Sequence, residues 1–185
     1  MTIYDGGMTA TSRPRAHRPR PLLLACLALS CSLGCAAGRW GPASPDPTVV
    51  SITPVTFAAD SGVSEAVLDK CKLDRRLPHE IAKYAKVDAV LAESADGGAK
   101  ILQLQVTKIF APGGGHYSGP KQIDLHGDLV AGGQVIASFD ARRSSMRGDR
   151  TCKMLRFVSQ GLARKDVKKW LSAPTMGAQL GEFAK

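Results

Sequence analysis

The sequence predicts an α+β protein, a two-layer sandwich in which helices pack on one face of a largely antiparallel sheet of about five strands. Two patterns lead to this prediction. Apolar and polar residues alternate through three consecutive segments in the middle of the chain, which is typical of strands with one buried and one solvated face. Apolar residues recur at helical spacing on either side of these segments, so helices should cover the buried face.

The first 34 residues have the parts of an export signal. Four arginines between Arg13 and Arg20 precede an apolar run from Pro21 to Leu33. A basic segment, a short apolar segment and small residues near a cleavage site make up a secretory signal. The apolar run is shorter than the about 20 residues that a transmembrane helix needs. We therefore expect residues 1–34 to be a signal peptide, with Met8 as an alternative start.

The run Ser-Leu-Gly-Cys at residues 32–35 resembles the lipobox of bacterial lipoproteins, in which the cysteine is acylated and becomes the mature N-terminus. The resemblance implies a lipid anchor on Cys35, and Cys31 is an alternative acylation site. Ala36 follows Cys35 where Asp would imply retention at the inner membrane, so the resemblance implies the periplasmic side of the outer membrane. Cleavage after Ala37 would instead give an unanchored periplasmic protein.

The mature chain should consist of a tether, one domain and a tail. Residues 35–48 combine glycine and proline without apolar periodicity, as a flexible tether does. Residues 49–173 hold the predicted helices and strands, and their number suits a single hydrophobic core. Residues 174–185 follow as a C-terminal tail.

The predicted domain begins with a strand, a helix and a second strand. The first strand, Val49–Phe57, is interrupted by Pro54, which favours an edge or bulged strand. A helix should cover about residues 77–86, with Pro78 in its first turn. The apolar segment Val87–Ala92 then predicts a short buried strand.

The next three strands are the clearest part of the pattern. Residues 99–110, 121–130 and 134–143 alternate between apolar and polar side chains, as strands of an antiparallel sheet with one wet face do. Gly132-Gly133 predicts a hairpin between the last two strands. The polar positions should therefore line up on one face of the sheet.

Two apolar stripes predict helices at the end of the domain, one from Asp149 to Leu162 and one over Lys165–Leu171. This element order, in a chain of this size with a lipobox, resembles the small outer-membrane lipoproteins related to the N-terminal domain of TolB, to CsgG and to the LpoB activator of penicillin-binding proteins. The resemblance spans residues 49–173. It implies an assembly or regulatory partner rather than an enzyme, although a shared fold does not determine function.

The cysteines agree with export. With Cys26 and Cys31 in the signal peptide and Cys35 acylated, Cys71 and Cys152 are the two that remain. An even pair in an oxidising compartment predicts one disulfide. Two separately buried thiols are the alternative.

No segment has the pattern of a catalytic, cofactor or metal site. The glycine-rich residues 112–120 lie between strands and do not lead into a helix with Lys and Ser or Thr at the spacing of a phosphate-binding loop, so we expect a hairpin loop. His116 and Tyr117 at its tip are candidate contacts. The histidines lack metal-ligand spacing, and no serine lies in a nucleophile elbow. We therefore expect a protein that is not an enzyme and needs no cofactor.

Positive charge is concentrated near the C-terminus, where residues 141–185 contain 11 Lys and Arg against 3 Asp and Glu. Arg142, Arg143, Arg147 and Arg150 fall between a strand and a helix, where guanidinium groups can converge on an anion. The expected partner is an anionic lipid, a peptidoglycan carboxylate or an acidic envelope protein, and not nucleic acid. A solvated turn, with pairing to nearby aspartates, is the alternative.

The sequence therefore favours a lipid-anchored binding or accessory protein of the cell envelope. One alternative is a periplasmic hydrolase or transferase that acts on cell-wall or lipid substrates through His116, Tyr117 and the strand aspartates. The other is a subunit of a homo-oligomer, in which an exposed Val49–Phe57 strand pairs between copies. The oligomeric state does not follow from the sequence.

Overall fold

A computed structural model describes residues 39–112, 119–145 and 149–184 of the 185-residue chain. These residues form a mixed α+β fold in which helices pack against one face of an eight-stranded sheet. The strands are β1 (Trp40–Gly41), β2 (Val50–Ile52), β3 (Thr56–Phe57), β4 (Ala89–Ala92), β5 (Lys100–Phe110), β6 (Gln122–Ala131), β7 (Gln134–Ser144) and β8 (Ala178–Gly181). The helices are α1 (Glu65–Cys71), α2 (Leu73–Tyr84), α3 (Thr151–Gly161) and α4 (Lys168–Leu171), with a π-helical turn at Leu162–Val167 and a 3₁₀ turn at Glu182–Ala184.

The sheet is mixed, so the prediction of about five largely antiparallel strands is wrong in strand number and in sheet type. The strand order is β1-β4-β2-β5-β6-β7-β8, and β3 also pairs with β5. Only β5, β6 and β7 pair in antiparallel fashion among the described strands; the remaining pairs are parallel. The helices α1 and α2 carry the chain from β3 to β4, which is parallel to β2, and α3, the π-helical turn and α4 carry it from β7 to a parallel β8.

The stretch predicted as one edge or bulged strand is two short strands, of which β2 is internal to the sheet. Residues 50–52 and 56–57 form β2 and β3, and Pro54 lies between them. Ser51 of β2 is fully buried and pairs with Val90 on one side and Ile101 on the other. Because β2 has a neighbour on each side, it offers no free edge for pairing between copies, whereas β3 pairs only with β5 among the described strands. The two ends of the strand order are β1 and β8.

The helices begin and end elsewhere than the apolar spacing predicts. Lys72 adopts a left-handed conformation with φ of 52° and ends α1, and α2 starts directly after it. Pro78 is consequently inside α2 rather than in its first turn. At the C-terminal end, the predicted break near residue 164 is a π-helical turn that joins α3 to α4. None of the helices in the described part of the chain is long and apolar enough to cross a membrane.

The predicted disulfide is present and links the helices to each other. Cys71 at the end of α1 is bonded to Cys152 in the first turn of α3, across a sequence separation of 81 residues. Cys71 is buried in the same apolar cluster as the helix and strand cores. The bond therefore fixes one end of the helical layer covalently.

A glycine in β6 makes room for an aromatic pair, which attaches the other end of the helical layer to the sheet. Gly127 of β6 lies opposite Phe139 of β7, and a Cβ atom on Gly127 would overlap the Phe139 ring. The ring meets Trp170 of α4 edge to face, with 4.7 Å between centroids. The Trp170 indole N–H donates to the Thr175 carbonyl at 3.1 Å, so its polar atom is satisfied although the side chain is buried.

We expect the disulfide to contribute substantially to stability. In the chain-entropy model, a bridge across 81 residues contributes on the order of 4 kcal/mol. The double variant Cys71→Ser/Cys152→Ser should lose about 2–4 kcal/mol of unfolding free energy in denaturant titrations. Protein isolated from an oxidising compartment should gain the mass of two hydrogens only after reduction. Two free thiols before reduction would show that the bridge does not form.

The Gly127→Ala variant should be destabilised by about 1–3 kcal/mol, because the added methyl group displaces the Phe139 ring. Adding Phe139→Leu should restore part of this loss. Gly41→Ala is the matched control, since a Cβ atom there has no neighbour within 4 Å. Equal unfolding midpoints for the two glycine variants would contradict the packing described above.

Candidate functional site

The face of the central strands that points away from the helices carries an ordered set of charged residues. In the antiparallel register of β6 and β7, Asp124 lies opposite Arg142 and His126 lies opposite Asp140. Leu125 alternates with these residues and faces the core, as the period of a strand requires. We call this surface the polar face, and its charged residues are Asp124, His126, Asp128, Asp140 and Arg142.

His126 is held between two carboxylates. Its Nδ1 lies 2.8 Å from Oδ1 of Asp140 and its Nε2 lies 3.3 Å from Oδ1 of Asp128. Burial alone lowers the pKa of His126, but the hydrogen bonds and charges of Asp140 and Asp128 outweigh it and raise the pKa above the usual value. In the protonated ring both nitrogens donate. When the ring is protonated, each nitrogen therefore faces a carboxylate, and neither has a free lone pair.

Arg142 is likewise held by an internal partner. Its Nε and Nη2 donate to the two carboxylate oxygens of Asp124 at 2.9 and 2.6 Å, and Asp124 is almost completely buried. Gln122 Nε2 donates to the same carboxylate at 2.8 Å. The hydrogen bond to Asp124 raises the pKa of Arg142, and its guanidinium also stacks over the Phe183 ring, 4.3 Å from the centroid. This bidentate geometry is the strong form of an ion pair.

Arg143 points to the opposite side of the sheet. Its Nε and Nη2 donate to the carboxylate of Asp166 in the π-helical turn at 2.8 and 2.9 Å. Asp166 is buried, and the hydrogen bond to it raises the pKa of Arg143. Gly161 makes room for this side chain, since a Cβ atom there would overlap Arg143 Cδ. The pair thus ties the helical layer to β7.

The structure does not bring the predicted arginine set together. Arg142 and Arg143 are neighbours in a strand and so lie on opposite faces, each with its own carboxylate. Arg150 precedes α3 and lines a cleft beside the disulfide. Arg147 lies outside the described residues, as do Cys35, His116 and Tyr117 of the other predicted sites.

Lys121 is a buried cation that the sequence reasoning missed. Its Nζ donates to the Pro112 carbonyl at 2.7 Å and to the Gly119 carbonyl at 3.4 Å, so it joins the two ends of the glycine-rich loop. Burial lowers the pKa of Lys121. The alternation of side chains along the strand could have predicted this burial. Lys121 shares the odd-numbered positions with Ile123 and Leu125, whose side chains form the core.

The polar face is suited to recognition by hydrogen bonds and charge. Asp124 accepts from Arg142, while Asp128 and Asp140 are engaged by His126. In the part of the chain that the structure describes, no three His, Cys, Asp or Glu residues are arranged to hold a metal ion. Asp140 is the most exposed of these carboxylates at 45 % of its side chain, against 31 % for Asp128. Both can accept a further donor from a partner.

The ion pairs of His126 should make stability depend on pH. Because the folded-state pKa is raised, they stabilise the fold below about pH 6.5, the pKa expected for the unfolded chain, and this contribution is lost as the pH rises through the folded-state pKa. His126→Gln should therefore destabilise the protein by up to about 1 kcal/mol near pH 5.5 and by less near pH 8. Denaturant titrations at both pH values test this. His79→Gln, at an exposed histidine, is the control. If His126→Gln lowers the unfolding free energy equally at both pH values, the predicted pH dependence is wrong.

Comparisons with known proteins give similarities at low identity. No protein-family model matches the chain, and no curated protein does. Among solved structures, the PelC dodecamer from Paraburkholderia phytofirmans is 10 % identical, with 67 % of this chain and 92 % of that chain covered and a TM-score of 0.42. A crystal structure of an uncharacterised protein is 18 % identical, with 68 % and 91 % covered and a TM-score of 0.43.

A Xanthomonas campestris protein assigned to the family model DUF330 is 9 % identical, with 71 % of this chain and 88 % of that chain covered and a TM-score of 0.38. These values carry no argument about function.

Proposed function

We propose that this chain is a lipid-anchored binding or accessory protein of the cell envelope, held on the periplasmic side of the outer membrane by an acyl group on Cys35, and that it is not an enzyme. Residues 13–35 supply the basic, apolar and small-residue parts of the export signal and its terminal cysteine. The Cys71–Cys152 bond supports the same compartment, because stable disulfides form in oxidising environments and are rare in the cytosol.

The observation that carries the non-enzymatic part of the proposal is the internal pairing of His126 and Asp124 on the polar face. A general base needs a nitrogen or oxygen free to take the proton of a reacting group. Both nitrogens of His126 are engaged by Asp128 and Asp140, and the Asp124 carboxylate is occupied by Arg142 and Gln122. Such mutual pairing favours a fixed pattern of charge over proton transfer.

The same pairing favours binding to a protein partner of the envelope. Side chains that are already held in one position lose little conformational freedom when a partner docks on them. Asp128 and Asp140 remain partly exposed on their outer sides, so the complementary surface should present Lys or Arg. Charged rims of this kind govern the specificity and rate of association more than its affinity.

Changing Cys35 to Ala should release the protein from the membrane fraction, because an acyl chain that contributes about 0.8 kcal/mol for each buried methylene would be lost. Cys31→Ala is the matched control and should stay bound. Membrane fractionation with mass analysis of the mature N-terminus distinguishes the two. A Cys35→Ala chain that remains membrane-bound, or a mature protein that starts elsewhere without a fatty acid, would overturn the anchor.

A further inference from the structure

We propose that a basic cleft between α2, α3 and β1 docks the domain onto the phosphate groups of an anionic phospholipid surface. The inference rests on the proposed acylation of Cys35 and adds to it a second, protein-mediated contact with the same membrane. The cleft has a volume of about 390 Å³. Its defining residues are Trp40, Lys72, Arg75, Arg76, His79 and Arg156.

The cations of the basic cleft differ from Arg142 and Arg143 in having no internal carboxylate. None of the ion pairs formed among the described residues involves Lys72, Arg75, Arg76 or Arg156. Lys72, Arg75 and Arg156 are exposed, and Arg76 is half-buried. Four positive charges that have no carboxylate partner among the described residues are available to an external anion.

Glu80 is the one acidic residue that lines the cleft, and one of its two carboxylate oxygens has a hydrogen-bond partner. Glu80 is buried, and its Oε1 accepts a hydrogen bond from Gln160 Nε2 at 3.1 Å. It forms no ion pair with the cations around it in the described part of the chain. The cleft therefore keeps a net positive charge, which suits a phosphate rather than an amine.

The fold assembles this charge from two helices. Lys72, Arg75, Arg76 and His79 come from the start and first turns of α2, at the spacing that places residues on one helix face. Arg156 comes from the middle of α3, which packs beside α2. The disulfide joins Cys71, directly before Lys72, to Cys152, one turn before Arg156. It thereby fixes the two groups of cations relative to each other.

Trp40 gives the cleft the character of a membrane interface. Its ring is half-buried and lies under the Arg75 guanidinium, 5.3 Å from the ring centroid. Tryptophan is enriched where an apolar surface meets water and headgroups. An aromatic ring beside cations is therefore expected at the boundary between phosphate groups and acyl chains.

The short stretch of chain between Cys35 and Trp40 keeps this cleft close to the proposed anchor. Trp40 follows Cys35 by five residues, which span at most about 18 Å when fully extended. An acyl group on Cys35 lies in the bilayer, so Trp40 and the cations next to it cannot be far from the headgroups. Each Lys or Arg within about a Debye length of an anionic surface is attracted to it.

Docking through the basic cleft also sets the orientation of the domain. The cleft belongs to the helical layer, whereas the polar face is on the opposite side of the sheet. With α2 and α3 on the membrane, Asp128 and Asp140 would point into the periplasm. The two surfaces can then act at the same time.

The test uses the acylated mature chain on vesicles and measures quenching of tryptophan emission by brominated lipids. The chain has two tryptophans, and Trp170 is buried, so a change reports on Trp40 and should vanish in Trp40→Phe. Quenching should be about threefold stronger on phosphatidylglycerol than on phosphatidylcholine vesicles and should fall with salt, because the contact is electrostatic.

Charge variants then locate the contact. Arg75→Gln/Arg76→Gln/Arg156→Gln should reduce quenching on anionic vesicles to the neutral-vesicle level. Lys165→Gln/Lys168→Gln/Lys169→Gln removes the same charge elsewhere on the helical layer and should leave quenching unchanged, with unfolding midpoints compared to verify folding. Equal quenching on both lipids, or equal effects of the two triple variants, would overturn the proposal. Failure of acylation is a separate result, since the chain would then not stay on vesicles at all.

Discussion

The register of β6 between β5 and β7 is the constraint on which the rest of the structure depends. Because side chains alternate with a period of two, a shift by one residue would exchange the core and polar faces. The observed register places Leu125 in the core and His126 opposite Asp140. The register shifts once between Val106 and Lys108 and once between Leu129 and Val130, as at a β-bulge. The aromatic anchor at Gly127 and both arginine ion pairs depend on this alignment.

The alternation of apolar and polar residues therefore predicted the long central strands, whose pattern lies within each strand. It did not predict the short strands whose pairing depends on distant parts of the chain. Residues 99–110, 121–130 and 134–143 were placed correctly as β5, β6 and β7, because each strand carries its own pattern. The strands β1 and β8 have two and four residues, too few to show a period. Their parallel pairing is set by helical crossovers, which the spacing of apolar residues does not reveal.

The positions of the charged residues in the fold were harder to predict than those of the apolar residues, because they also depend on contacts between distant parts of the chain. Arginines that cluster in sequence at 142–150 suggested one anion site, yet strand geometry sends Arg142 and Arg143 to opposite faces, where Asp124 and Asp166 neutralise them. The cations of the basic cleft come from two helices 80 residues apart, such as Arg76 and Arg156. No pattern in the chain joins them, because their proximity exists only after the helices pack.

The bond between Cys71 and Cys152 has a consequence for when the basic cleft reaches its final geometry. It is adjacent to the cations at the start of α2 and one turn from Arg156. A newly made chain in a reducing compartment lacks this bond, and the spacing between the two helices is then maintained by non-covalent packing alone. In the proposed exported protein, oxidation would then fix this spacing covalently. Thiol chemistry would thus act as a checkpoint in biogenesis, delaying full affinity for its target until the polypeptide has reached its destination.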